Sequence, residues 1–289
     1  MRRRALLFSF ILLLCATAIP SALEFSDIYV TVGQTTSDRA VNAGLYIFPT
    51  LVIPMGGEFE GMGQAYTAVS RDASFFDANA AGSATLEFTE LTFVHNNWIA
   101  DTSLEGVLYT RRFSDLGTNQ NDLGIAVGGK FLHVPFTEID SLSRQGASGR
   151  YSEGTVGVNV SYNFLSNYAF PGVSVGATVK TAYRLVPARI APDQSAIGLA
   201  GDIGVMTRFD LLKGFTSRDP NFAVGVAARN FGPPVRGEPL PSQVTGGLAY
   251  SPLRPLTIAT DVILPISLAG GVPAPPLAGA AGLAVDITP

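Results

Sequence analysis

Thr155-Val156-Gly157-Val158-Asn159-Val160-Ser161-Tyr162-Asn163-Phe164 decides the fold class. Val156, Val158, Val160, Tyr162 and Phe164 fall on one face of an extended chain, and Thr155, Gly157, Asn159, Ser161 and Asn163 on the other. A period of two over ten residues means a strand with one apolar and one polar face. Val173, Val175, Ala177, Val179, Tyr183 and Leu185 repeat the pattern, opposed by Ser174, Gly176, Thr178, Lys180 and Arg184. So do Ile197, Leu199, Ile203, Val205 and Phe209, opposed by Gly198, Ala200, Asp202, Gly204 and Arg208. Strands of water-soluble sheets usually run about 5–6 residues, whereas a tilted membrane-crossing strand needs about 9–11. The alternating segments have the longer span, and their polar faces are mostly Gly, Ala, Ser and Thr, as the inside of a barrel would be. Phe131, Phe164, Tyr183, Phe209, Phe222 and Tyr250 fall near strand ends, where interfacial girdles belong. The expected fold is an all-β, antiparallel transmembrane β-barrel.

Ten strands are expected, at 91–99, 103–113, 122–134, 154–164, 173–186, 196–209, 222–230, 243–250, 256–263 and 278–287. The first two alternate less cleanly than the rest. Connections at 137–150, 187–195, 231–242 and 264–277 are long, and those at 165–172 and 251–255 are short. Long loops outside and short turns inside place the start of the first strand in the periplasm. The connection at 210–221 is longer than that rule prefers.

Composition agrees. Of 289 residues, 47% are hydrophobic and only 15% charged, against about 25% charged in average domains. The longest uncharged stretch past the N-terminus, Val262 to Val285, is broken by Pro265, Pro273, Pro275 and Pro276, which excludes a spanning helix there. Disorder is excluded by the high apolar content. Residues 1–22 read as a secretory signal: Arg2, Arg3 and Arg4, an apolar core from Ala5 to Ile19, then small residues ending at Ala22. Cys15 follows Leu14 rather than a small residue and reads as part of the apolar core, not as a lipid-attachment site. Removing three arginines takes the net charge from −4 to −7 and leaves no cysteine. An acidic, exported, disulfide-free chain is a poor nucleic-acid binder.

Residues 55–86 read differently. Gly61-Met62-Gly63-Gln64-Ala65-Tyr66 is followed by Asp72-Ala73 and by Asn79-Ala80-Ala81. This stretch resembles the N-terminal hatch of FadL-type outer-membrane transporters, which take up long-chain fatty acids and other hydrophobic compounds. The shared pattern is Gly-x-Gly-x-Ala-Tyr, then Asp-Ala, then an Asn-Pro-Ala turn into the first strand. The chain matches at Gly61, Gly63, Ala65, Tyr66, Asp72, Ala73 and Asn79, and departs at Ala80, where the family usually has proline. From about residue 40 onward it is also similar to an uncharacterised family of treponemal outer-membrane proteins regarded as FadL-like. PorV-type barrels, which serve protein secretion, are more distant relatives, echoed by Asn42-Ala43-Gly44-Leu45. Beside the signal segment at 1–22, read from its own residues, the resemblance implies an extension and hatch at 23–90 and a barrel at 91–289. FadL-type barrels have more than ten strands, and the chain ends Asp286-Ile287-Thr288-Pro289 without a terminal aromatic. A barrel incomplete at its C-terminus is therefore expected, with a ten-stranded closure as the alternative.

Signatures of chemistry are weak. Gly172-Val173-Ser174-Val175-Gly176 matches a nucleophile elbow, but that motif needs a strand–turn–helix and this serine lies within an alternating strand. Gly61-Met62-Gly63 lacks the third glycine of a dinucleotide loop, and two histidines without a mature cysteine make no transition-metal set. No catalytic residue, metal or cofactor is expected. The inward-facing charges are Lys130, Lys180, Arg184, Arg208 and Arg229, against Asp202, Asp261 and Asp286. Pairing with these acids, or contact with water, is the commoner role for such cations. Lys130, Lys180, Arg184 and Arg229 are the candidate lumenal groups for a ligand carboxylate, and Gly61, Gly63, Tyr66, Asp72 and Asn79 the candidate gate. The resemblance implies passive, hatch-gated uptake of a long-chain fatty acid or similar solute through the outer membrane, with membrane lipid and the barrel-assembly machinery as partners. The alternatives are a PorV-like export scaffold, a non-functional truncated barrel, and a soluble periplasmic β-sandwich.

Overall fold

A computed structural model of the chain describes residues 46–98, 101–116, 121–139, 144–167, 170–189, 192–269 and 274–286. The signal segment with Cys15, the extension through Leu45 and residues 287–289 lie outside the described residues.

All ten expected strands form. They are β1 (Glu90–Asn97), β2 (Ser103–Leu116), β3 (Asn121–Ile139), β4 (Gln145–Phe164) and β5 (Val173–Leu185). β6 (Ala196–Phe209), β7 (Phe222–Phe231), β8 (Gln243–Leu253), β9 (Leu256–Pro265) and β10 (Ala278–Val285) follow. They make a single sheet in sequence order, each neighbour antiparallel. Among the described residues β1 pairs only with β2, and β10 only with β9. One up-and-down sheet is consistent with a barrel wall, and the described residues do not form the two facing sheets of a sandwich. No described helix is long and apolar enough to cross a membrane.

The expected loop at 137–150 is mostly strand. β3 runs to Ile139 and β4 starts at Gln145, with Thr137 opposite Ser148 and a register shift before Ile139. Polar residues occupy both faces of this hairpin, so hydropathy no longer alternates although the backbone ladder continues. The blurred alternation of the first two strands also has a cause. Leu108 of β2 and Val94 of β1 turn inward onto Met55, Phe75 and Phe76, so these strands are apolar on both faces.

The faces of the wall are inverted relative to a water-soluble protein. Val158 is 51% exposed, whereas Asn159 beside it is fully buried. The same holds around the sheet: Val107, Val127, Val179, Ile203 and Val226 point outward, while Thr110, Ser161, Thr178 and Asp202 are buried. Residues 46–89 cover the polar side. This segment, the expected hatch, contains short helices α1 (Gly57–Gly61) and α2 (Phe75–Ala78) and the 3₁₀ turns Pro49–Leu51 and Ala80–Ala84.

Wall glycines allow the hatch backbone to approach. A Cβ at Gly176 would overlap the Ala80 carbonyl, one at Gly204 the Asn79 side chain, and one at Gly225 the Thr67 carbonyl. Gly124 meets the Ser83 backbone and Gly282 the Met62 carbonyl in the same way. The small inward residues are thus a seat for the hatch rather than the lining of an open pore. Gly204→Val is expected to weaken hatch seating by about 1–3 kcal/mol through overpacking. Gly246→Ala, where an added Cβ meets nothing within 4 Å, should stay within about 0.5 kcal/mol. Urea dependence of chymotrypsin cleavage in the hatch, whose Tyr66 and Phe75 are fully buried, measures both.

Candidate functional site

The residues expected to form a gate do different jobs. Gly63 sits at φ +59, and a Cβ there would lie 2.8 Å from the Ala281 carbonyl oxygen, so both conformation and space call for glycine. Gly61 is exposed, with nothing within 4 Å of an added Cβ, and carries no such constraint. Tyr66 is fully buried, its ring edge-on to Phe59 with centroids 5.7 Å apart. Its hydroxyl faces the carboxylates of Asp72 at 2.8 Å and Glu58 at 3.0 Å. Asp72 also accepts from the Ser74 amide at 2.9 Å. Asn79 caps the turn Ala80–Ala84 by accepting from the Ala81 amide at 3.1 Å, and its Nδ2 donates to the carbonyls of Thr67 and Val205 at 2.9 and 3.2 Å. The turn forms with Ala80 where the resembling family has proline.

Burial first, then the charges of Asp72 and Glu58, pushes the Tyr66 phenol well above its ordinary value of 10.0. Folding is therefore linked to pH in one direction. An unfolded chain ionises this tyrosine near pH 10 while the folded chain keeps it protonated, so the stability it contributes is present below pH 10 and is lost as pH rises above it. Urea midpoints should hold steady up to about pH 10 and fall beyond it, and Tyr66→Phe should flatten that fall. The same substitution should cost about 1.5–3 kcal/mol at neutral pH, as expected for a hydrogen bond to a charged group.

Asp77 on α2 is the centre of a buried ion network. Its carboxylate accepts from the Met55 amide at 2.8 Å and from Lys130 Nζ at 2.7 Å, with Lys180 Nζ at 4.0 Å. Lys180 pairs with Asp202 at 2.7 Å and lies 5.3 Å above the Phe76 ring. Arg229 donates to the Asp77 carbonyl and, at 3.3 Å, to Thr245 Oγ1. Lys130 also donates to the Ile53 carbonyl at 2.5 Å. Two further wall carboxylates hold hatch backbone: Asp261 accepts from the Tyr66 and Thr67 amides at 3.1 and 3.0 Å, and Glu153 from Thr50 at 2.6 Å.

Three of the four candidate lumenal cations, Lys130, Lys180 and Arg229, therefore meet at one hatch residue. Arg184 lies apart, donating to the Gln194 carbonyl at 3.1 Å and facing Glu238 at 3.6 Å. Sequence reading gave Asp77 no role. Its signal was present in Phe75-Phe76-Asp77-Ala78: an acid inside a stretch that must be buried needs a partner. Ser174 of the elbow-like motif lies on β5, buried and donating to Asn163 Oδ1 at 3.2 Å. Among the described residues no group of three His, Cys, Asp or Glu side chains could hold a metal ion.

With the hatch seated, two adjoining clefts open at the end of the wall where β1 begins, about 250 and 560 Å³ in volume, both bordered by Arg208. A third, of about 760 Å³, lies on the outer surface between β1, β2 and β3, lined by Phe93, Val107, Tyr109, Val127, Phe131 and others.

The profile of an uncharacterised protein family, UPF0164, matches residues 28–268. Three UPF0164 proteins of Treponema pallidum (strain Nichols) are similar to the chain. One is 32% identical over 71% of this chain and 49% of its own length. A second is 32% identical over 63% of this chain and 35% of its own length, and a third 29% identical over 70% and 40%. The chain thus spans half or less of the length of these relatives. With a profile match across most of its length and treponemal relatives at this level of identity, the chain belongs to the uncharacterised protein family UPF0164.

Proposed function

We propose that the chain is exported and inserted by the barrel-assembly machinery as an outer-membrane wall. Its hatch would admit long-chain fatty acids or other hydrophobic solutes by passive diffusion, in the manner of FadL-type transporters and without catalysis. The observation that carries this reading is the inversion of the faces. A continuous band of exposed Val, Ile and Leu backs a buried polar interior. Water-soluble monomers rarely expose apolar patches beyond a few hundred Å², whereas a strand wall in lipid must expose them. A hatch seated inside such a wall blocks free flow of water, so a solute enters only by displacing part of it or by skirting its edge. Labelled oleate binding to the purified protein in detergent tests the reading. Saturable binding, displaced by unlabelled palmitate but not by succinate, is expected. Absence of saturable binding by a protein whose hatch resists chymotrypsin would contradict it.

A PorV-like export scaffold is the second reading. The buried ion network that fastens the hatch to β3, β5 and β7 favours it, because a fixed plug suits a docking platform better than a gate. That reading predicts no oleate binding and specific retention of exported proteins.

A further inference from the structure

Residues 210–221, between β6 and β7, are longer than the short-turn end of a barrel needs, and transport gives them no task. The loop is nevertheless tightly built. Lys213 Nζ donates to the Asp210 carboxylate at 3.0 Å and to the Ser217 and Asp219 carbonyls at 2.7 Å each. Asn221 clamps Leu211 twice: its Oδ1 accepts from the Leu211 amide and its Nδ2 donates to the Leu211 carbonyl, both at 2.8 Å. This frame holds Leu212 76% exposed, with its backbone at φ +49. A side chain as bulky as leucine rarely takes the left-handed region. Held out in that conformation by its surroundings, an apolar tip points to a task outside the loop.

The tip lies beside an aromatic belt. Phe209, Phe222 and Tyr250 stand opposite one another on the outward faces of β6, β7 and β8. Their ring centroids are 5.1 and 6.1 Å apart. The Tyr250 hydroxyl is 3.5 Å from the Leu212 carbonyl oxygen, which sets this part of the loop against the outer side of the wall. Phe215, Ser217 and Asp219 border the larger inner cleft, whereas Leu211 and Leu212 do not. Other turns at the same end also carry an exposed leucine just past an aromatic residue: Leu116 after Phe113, Leu165 after Phe164 and Leu253 after Tyr250. Leu165 too has a positive φ, +60. Asp210 and Asp219 balance Lys213 and Arg218, so the loop offers no net charge to a charged partner.

We propose that residues 210–221 are a lipid-interface anchor. Leu211 and Leu212 enter the boundary between headgroups and acyl chains in the leaflet at the β1 end of the wall. The polar frame of Asp210, Lys213, Ser217 and Asp219 stays at headgroup level. The anchor rests on the lipid-facing wall proposed above, and names the residues that fix its depth. Phospholipid is the occupant because the tip continues the outward apolar band of Ile203, Val205, Val226 and Leu248 past the belt. Apolar side chains are favoured at that boundary in proportion to the area they bury. A tip already fixed by Lys213 and Asn221 enters it with little further ordering.

Tryptophan fluorescence in phospholipid vesicles tests the anchor. Trp98, the chain's one tryptophan, is first replaced by phenylalanine, and Leu212→Trp or Tyr250→Trp is then added. Leu212→Trp should lose most of its emission to lipids brominated high on the acyl chain, and little to iodide in the water. Tyr250→Trp, on the outward face, is the reference for the wall and should behave alike. Protection of Tyr66 and Phe75 from chymotrypsin reports whether each variant has kept its fold. If Leu212→Trp loses that protection, Leu211→Trp carries the same comparison. Emission at 212 lost to iodide and not to brominated lipid, with Tyr250→Trp still quenched by lipid, overturns the anchor and leaves the wall standing. The loop would then face water, as a docking site for a soluble protein does. Quenching of both variants by iodide alone overturns the anchor and the wall together.

Discussion

Asp77→Ala should release the hatch while leaving the wall strands paired. The substitution removes one carboxylate oxygen from Lys130 at 2.7 Å, the other from the Met55 amide at 2.8 Å, and a neighbouring charge from Lys180. Breaking a buried ion pair by deleting one partner costs about 3–5 kcal/mol, mostly because the surviving charge stays buried without compensation. Much of the hatch's attachment passes through this residue, so the loss should appear as chymotrypsin cleavage at Tyr66, Phe75 and Phe76 at urea concentrations that leave wild type intact. Adding Lys130→Met should recover part of the loss, since it removes the stranded ammonium. Unchanged protection in Asp77→Ala would mean that the glycine seat alone holds the hatch.

Val158→Arg should be nearly as damaging, for a different reason. Val158 lies mid-strand on the outward face of β4, between Val156 and Val160, and is half exposed. On the surface of a water-soluble protein such a change stays within about 0.5 kcal/mol. On a lipid-facing wall at mid-depth it costs about 2–4 kcal/mol. Measured as the urea midpoint of refolding into phospholipid vesicles, the shift therefore separates the two environments. Leu253→Arg, at the end of β8, is expected to cost much less, because the penalty falls toward the interface.

The wall was legible in the sequence because outward exposure and burial under residues 46–89 sort residues by parity through most strands. Val156 to Phe164 shows this within a single strand, and β5 and β6 repeat it. Where parity stops, so did the reading. The β3–β4 hairpin continues as polar ladder past Val134, and nothing in hydropathy marks backbone pairing there. β1 and β2 were blurred because the hatch presents apolar side chains to them. At the candidate site, the motif residues Gly63, Tyr66, Asp72 and Asn79 were visible because each serves local geometry within a few residues. Asp77 was not, because its role depends on Lys130 and Lys180, 53 and 103 positions away, meeting over the hatch.

The measurement closest to the central claim is the environment of the outward face. The chain's one cysteine, Cys15, lies in the segment read as a signal, so single cysteines can be placed and spin-labelled one at a time from Val156 to Asn163 in vesicle-reconstituted protein. Collision with molecular oxygen, which concentrates in lipid, should peak at 156, 158, 160 and 162. At 157, 159 and 161, which face Phe76, Ala80 and Ser83, labels should be shielded from oxygen and from a water-soluble nickel chelate alike. Outward positions that collide with the chelate rather than oxygen would show a wall facing water, and would contradict the account.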